Sequence, residues 1–193
     1  MAFDVTRIEV GPARIFLGVT LPASGAFPTL VTHTAGVPST GTEIGLTEGD
    51  TVLEIKSEKK EITAEQFYAP VEVFLTVQGA KASFTAKEST IIGLRAALDN
   101  VLQQTTGTEE AFAFGSGSGS FAVLKQSVFL SARRRDNPAK YIVCLLYSAY
   151  VSKPLTYTFS RTKEATYPVE LTGLAVVTRT PGDCMGQFYR EIG

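Results

Sequence analysis

The stretch Pro70-Val-Glu-Val-Phe-Leu-Thr-Val-Gln-Gly-Ala-Lys-Ala-Ser-Phe-Thr-Ala-Lys87 limits the fold of this chain more than any other. Val71, Val73, Leu75 and Val77 fall on one face of an extended backbone, and Glu72, Phe74 and Thr76 on the other. A period of two belongs to a pleated strand and to no helix. Gln78-Gly79 reads as a tight turn, because glycine takes a positive φ at little cost. Alternation then resumes, with Ala80, Ala82, Phe84 and Ala86 set against Lys81, Ser83, Thr85 and Lys87. The two runs are expected to form a hairpin of firm register, since a one-residue slip would turn the valines to the wrong face.

The flanks extend this unit. Glu61 to Phe67 reads as extended chain. From Glu88 to Gln104 the period changes, and Ile91, Leu94, Leu98, Val101 and Leu102 recur at helical spacing. Ser89 or Thr90 caps this expected helix and Glu88 sits near the positive end of its dipole. Gly93 inside it costs about 1 kcal/mol relative to alanine.

The remainder is strand-rich. Gly11-Pro12 breaks TRIEV from ARIFLGV. Thr42–Glu48 and Thr51–Ser57 read as two strands around Gly49-Asp50. Phe121–Ala132 and Lys140–Val151 are strands joined by the charged turn Arg133-Arg-Arg-Asp-Asn-Pro, and Leu155–Ser160 and Thr166–Thr178 complete the set. In Lys140–Val151 both alternating faces are apolar, which marks a central strand covered on two sides. The final TPGDCMGQFYREIG reads as a trailing end. Two long excursions interrupt the pattern, Leu21–Gly41 and Thr105–Ser120, the second holding a Gly-Ser run of linker composition. About ten short strands and one mid-chain helix point to one domain over residues 1–193, mainly β. Its fold is expected to be a β-sandwich or barrel with a flanking helix and two long loops.

Composition narrows function by exclusion. Lys and Arg number 18 against 19 Asp and Glu, so no basic surface for tight phosphate binding is expected. Cys144 lies in the apolar run YIVCLLY and Cys184 follows Pro181-Gly182. Neither spacing nor chain size asks for a disulfide. The start lacks the basic-then-apolar order of a signal peptide, and no apolar run nears the roughly 20 residues of a membrane span. His33, the one histidine, stands in a Thr-rich loop and reads as solvated. Metal-ligand spacing is lacking, and the Gly115–Gly119 repeat is neither a nucleophile elbow nor a phosphate loop. Glu109-Glu110 reads as a solvated pair beside a flexible segment. No catalytic, cofactor-binding or metal-binding residue is nominated, and no enzyme is expected.

A resemblance adds to this reading. Gly11-Pro-Ala-Arg-Ile-Phe-Leu-Gly, Thr42-Glu-Ile-Gly-Leu-Thr-Glu-Gly, Glu61-Ile-Thr-Ala-Glu-Gln with Pro70-Val-Glu-Val-Phe, and Ala82-Ser-Phe-Thr-Ala-Lys-Glu occur in an order and spacing that resemble the tail tube (major tail) proteins of long-tailed bacteriophages. The likeness covers about the first half of the chain. It implies a β-sandwich with one flanking helix and a structural role in the virion tail, assembled in the host cytoplasm. Six copies would form a ring whose strands join in one inner barrel. Rings would stack around a tape-measure protein, and double-stranded DNA would later pass through the lumen. Cofactor, small-molecule substrate and membrane have no place in that picture. The tube of a contractile injection system or a tail-terminal ring would share these features. A monomeric carbohydrate-binding sandwich is the rival from another class, weakened because the chain has no tryptophan.

Under this reading Glu72, Thr76, Ser83 and Thr85, opposite the apolar face, are expected near the lumen or a ring interface. Lys81 and Lys87 beside them argue against a purely acidic lumen. Arg133, Arg134 and Arg135, with Phe27 and Leu30 of the first excursion, are the expected inter-subunit contacts. Removing Ala23–Ser39 is expected to leave the sandwich folded and to abolish stacking.

Overall fold

The structure is a computed structural model, and it describes residues 13–26, 30–32, 36–63, 70–87, 94, 97–98, 101–106, 109–114, 123–134, 137–157 and 165–191. Twelve strands are described. They are β1 (Arg14–Leu17), β2 (Leu30–Thr32), β3 (Val37–Pro38), β4 (Thr42–Glu43), β5 (Thr47–Thr63), β6 (Pro70–Ala86), β7 (Val101–Thr106), β8 (Glu109–Phe114), β9 (Gln126–Arg133), β10 (Tyr141–Val151), β11 (Tyr167–Gly173) and β12 (Gly186–Arg190). Eight of them form one antiparallel sheet in the order β4-β1-β9-β10-β11-β6-β5, with β12 also on β10.

β10 is the strand on which this sheet turns. On one side it pairs with β9 from Tyr141 to Ala149, with an irregularity between Leu146 and Ala149. Its other side is shared between β12, along Ile142–Leu146, and β11, along Ala149–Val151. Past that corner the sheet folds back over itself. Ile15, Val128, Leu130, Cys144 and Leu146 from one half meet Ala82, Phe84, Tyr167, Val169 and Leu171 from the other in one buried cluster. This is the interior of a β-sandwich, as the strand content implies.

The opposite face of β10 is buried too. Val143, Leu145 and Tyr147 join Phe16, Phe129 and Tyr141 in a second cluster. The Phe16 and Phe129 rings meet edge to face at 6.0 Å. The cover comes from the first excursion and a late turn, through Leu21, Val37 and Val176. Gly36 has φ 60°, and a Cβ there would lie 2.4 Å from the Tyr141 ring. Its carbonyl accepts a hydrogen bond from Ser131 Oγ at 2.9 Å, and the Val19 carbonyl accepts one from Ser127 Oγ at 2.6 Å. The described parts of the 21–41 excursion are therefore fastened across their own sheet, with β2 and β3 paired inside it. Deleting Ala23–Ser39 would uncover this second cluster, which corrects the expectation of a folded sandwich without it.

Five other expectations change. The run 70–87 is not a hairpin but one 17-residue strand, β6, paired along its length with the 17-residue β5. Gln78-Gly79 is not a turn. Ser57 pairs with Gln78 and Lys56 with Gly79, and Gly79 is not among the glycines of positive φ. The parity change that suggested a turn is a β-bulge. Glu58 pairs with Val77 and Lys59 with Leu75, so Thr76 is the extra residue. That residue carries Val73 and Leu75 onto the face of Ala80 and Ala82. Likewise Gly49-Asp50 is not a turn between two strands. Gly49, at φ 71°, lies in an irregularity of β5 between Glu48 and Val52.

The expected helix does not extend to Gln104. Leu94 is helical and Ala97 is in a turn against the main cluster, but Val101–Thr106 is strand paired to Glu109–Phe114. Val101, Thr105 and Thr106 are β-branched, and pairing with the alternating EEAFAF overrides the helical spacing. The rest of the helix lies outside the described residues, as do His33 and the Gly115–Ser120 run. Finally, the supposed trailing end contains β12, and no strand forms at 155–157.

Two substitutions check these assignments, one in β6 and one in the first excursion. A Cβ at Gly79 meets nothing within 4 Å, so Gly79→Val is expected to shift unfolding free energy by less than about 1 kcal/mol. Gly36→Ala is expected to cost about 2–4 kcal/mol through the Tyr141 clash and the positive φ. Urea denaturation of both variants checks this.

Candidate self-assembly surface

Neighbouring strands decide which part of the sheet is finished. β11 pairs with β6 only from Lys81 to Ala86. Beyond that point, Ile55–Thr63 of β5 and Pro70–Ala80 of β6 pair only with each other among the described residues. They form a two-stranded arm. The sequence carries the cause: LEIKSEKKEIT places charges on both alternating faces, so neither face of this stretch suits a core. Yet the arm is not wholly polar. Ile55 is 62% exposed and Leu75 55%, and Val73, Phe74 and Ile62 are also exposed. By register, Ile55, Leu75 and Val73 share one face, while Ile62 and Phe74 share the other.

β5 is also the margin of the sheet. Its outer edge has no partner strand among the described residues. A long run of unpaired N–H and C=O groups is a template for another strand. The other margin is the two-residue β4, held to β1 by a bidentate pair in which Arg14 Nε and Nη2 donate to Glu43 at 2.7 Å each. Inside the mouth of the sandwich, a cleft of about 200 Å³ lies between Ile55, Ala80, Cys144, Met185 and Phe188. Burial pushes the Cys144 thiol up to about 12, so it stays protonated. Both cysteines are free thiols.

The residues expected to face a lumen or interface are now placed. Ser83 and Thr85 are half-buried on the outer face of β6, opposite the buried Ala82, Phe84 and Ala86. Lys81 on that face pairs with Glu170 at 2.9 Å, and Glu170 also accepts from Ser152 Oγ at 2.9 Å. These two bonds hold the Glu170 carboxyl below its ordinary range. Glu72 is exposed on the arm, and the bulge puts it on the same face as Ser83. Thr76 is the bulge residue itself.

The three arginines part company. Arg133 is exposed, its guanidinium 5.9 Å from the centre of the Tyr141 ring. Arg134 is buried and donates through Nη1 to the Glu191 carbonyl of its own chain. Arg135 and Phe27 lie outside the described residues. Leu30 is in β2.

Sequence reasoning missed a polar clasp around Asp183. Asp183 accepts hydrogen bonds from Tyr147 Oη, from Gly25 N at 3.0 Å, from Ser24 Oγ at 3.2 Å and from Arg179 Nη2 at 3.0 Å. Arg179 stacks 3.8 Å over the Tyr147 ring and donates to the Pro22 carbonyl at 2.8 Å. Gln187 Nε2 reaches the Ala26 carbonyl at 3.0 Å. The clasp ties the start of the first excursion to the turn before β12. Thr180-Pro-Gly-Asp was the available signal, a turn motif that places an aspartate. The Tyr147 and Gly25 bonds lead in holding the Asp183 carboxyl far below its ordinary range, and burial leads in raising the Tyr147 phenol. A depressed carboxylate adds stability above its unfolded value of about 4 and loses it as pH falls further. Asp183→Asn is expected to cost about 1–3 kcal/mol at pH 7. The deficit should shrink as pH drops below about 4, which denaturation midpoints across pH 2–7 would show.

Among the described residues, no helix is long and apolar enough to cross a membrane, and no group of three or more His, Cys, Asp or Glu is placed to hold a metal. No protein-family model and no curated protein sequence matches the chain. Among solved structures, the chain is similar to one described as the tail of an empty gene transfer agent (GTA) particle, refined helically with C6 symmetry. The identity is 10% and the TM-score 0.42, over 92% of this chain and 96% of that one. At that score the likeness is coarse and assigns nothing to this chain.

Proposed function

We propose that this protein is a structural subunit of a phage-type tail tube, working by self-assembly rather than catalysis. One observation carries the reading. Among the described residues, the β5–β6 arm runs past the last strand that supports it, with an open outer edge and apolar residues exposed on both faces. An isolated two-stranded ribbon is marginal in water, and an open edge invites pairing. Identical subunits meeting head to tail satisfy every such edge when the rotation closes a ring. The order of sequence motifs resembling tail tube proteins supports the same reading.

On this proposal, six copies join their arms into an inner barrel and rings stack around a tape-measure protein in the virion tail, the assembly taking place in the host cytoplasm. Double-stranded DNA later passes through. The polar outer face of β6, with Glu72, Ser83 and Thr85, then lies at the lumen or a ring interface. Lys81 paired to Glu170 on that face offers passing phosphates no uncompensated cation there. A near-neutral total, 18 basic against 19 acidic residues, suits a duct that must release DNA.

Negative-stain microscopy of the purified full chain tests this: tubes or sixfold rings are the expected outcome. Leu75→Asp on the exposed arm should abolish them while shifting unfolding free energy by no more than about 0.5 kcal/mol. A chain that stays single at every soluble concentration, or tubes unchanged by Leu75→Asp, would overturn the proposal.

A further inference from the structure

The outer margin of β5, which has no partner strand among the described residues, is complementary to itself along one face. From Val52 to Ile62 every β5 residue has a β6 partner, the extra bulge residue belonging to β6. This is the regular part of the margin. Along one of its faces the order is Val52, Glu54, Lys56, Glu58, Lys60, Ile62, all exposed. A second copy can pair antiparallel with this edge about a twofold axis normal to the sheet. Such an axis sets residues of one face opposite residues of the same face.

The registers differ sharply. Centred on Ser57, Glu54 faces Lys60, Lys56 faces Glu58 and Val52 faces Ile62, each contact occurring twice by symmetry. Centred on Lys56 or on Glu58, a like charge faces itself and its neighbours also meet like with like. Centred on Ile55, Val52 faces Glu58 and the irregular 48–52 segment must enter the ladder. Charges on an edge strand ordinarily repel unwanted partners. Here the Ser57 register opposes Glu54 to Lys60, sets Lys56, already paired with Glu58 of its own chain, beside a second Glu58, and covers two exposed apolar residues per copy, while on the other face Lys59 meets Ile55 and Glu61 meets Leu53.

We propose that β5 pairs with β5 of a second copy of this chain, antiparallel and centred on Ser57, to form a closed dimer. The pairing stands on the edge alone. Its consequence rests on the tube reading: an isologous pair uses up the margin that a growing ring needs and cannot extend. The dimer thus competes with ring closure for the same margin.

Cross-linking tests the register on the full chain. Opposed residues of an antiparallel pair lie about 4.5–5.5 Å apart at Cα, within disulfide reach. Under mild oxidation, Ser57→Cys is expected to give a linked dimer in high yield. Ile55→Cys, Lys56→Cys and the unsubstituted chain with its Cys144 and Cys184 are expected to stay largely unlinked. By sedimentation velocity, Glu58→Lys should weaken the dimer at least about tenfold, and Lys56→Glu with Glu58→Lys should restore it. Circular dichroism of each variant reports folding separately. Equal linking of Ser57→Cys and Lys56→Cys, preferential linking of Ile55→Cys, or no rescue by the charge swap would overturn the proposal. Tubes without this cross-link would leave the tube reading standing and remove the dimer; the cross-linked dimer without tubes under any condition would do the reverse.

Discussion

Two-sided burial of β10 is the constraint on which the rest of this molecule depends. The strand is hydrogen-bonded on both edges and apolar on both faces, so it must have a layer above and a layer below. The fold supplies them differently. On one side the sheet bends at the Leu146–Ala149 irregularity and brings β6 and β11 over the main cluster. On the other side the first excursion, with its small β2–β3 sheet, is drawn across Tyr141 and Tyr147 instead. A segment of loop composition thereby becomes part of the core. That is why its glycine at position 36 has no room for a side chain, and why the Asp183–Arg179 clasp holds its first residues.

The opposite margin of the sheet follows another logic. A strand as long as β5 exposes many backbone groups, and natural sheets usually keep edge strands short or twisted away. Here the margin is long, regular and armed with alternating charge. β6 cannot protect it, because β11 stops at Lys81 and leaves the arm as a ribbon of two strands. Ile55, Val73 and Leu75 are exposed on one face of the ribbon. Incomplete hydrogen bonding and exposed apolar surface thus coincide on one element, which is the physical basis for reading the chain as a building block.

The bulge at Thr76 shows how a local pattern and a global structure can both be right while the inference between them fails. Odd-numbered residues are apolar before it and even-numbered residues after it, and the sequence alone offers two explanations: a reversal of the chain or one extra residue. A turn containing glycine is the commoner device. The choice fell the other way because β5, a distant segment of nearly equal length, pairs along the whole run. Similarly, the helical spacing through Val101 and Leu102 was real, but the residues from 109 to 114 provided a strand partner. The three arginines looked equivalent in the chain, yet only a folded neighbour, the Glu191 carbonyl, could draw Arg134 inside and leave Arg133 at the surface.

What the sequence determined by itself was composition along each strand: a mainly β chain, a doubly apolar central strand in Lys140–Val151, a polar face on β6 and a charged stretch unsuited to any core. These follow from side-chain period, which is local. What only the tertiary structure decided was pairing: that β5 and β6 form one long ribbon, that the first excursion lids a core, that Asp183 clasps it, and that the outer margin of β5 has no partner strand among the described residues. Hydrogen-bond partners and contacts between distant segments depend on where the chain returns, and no local period records that.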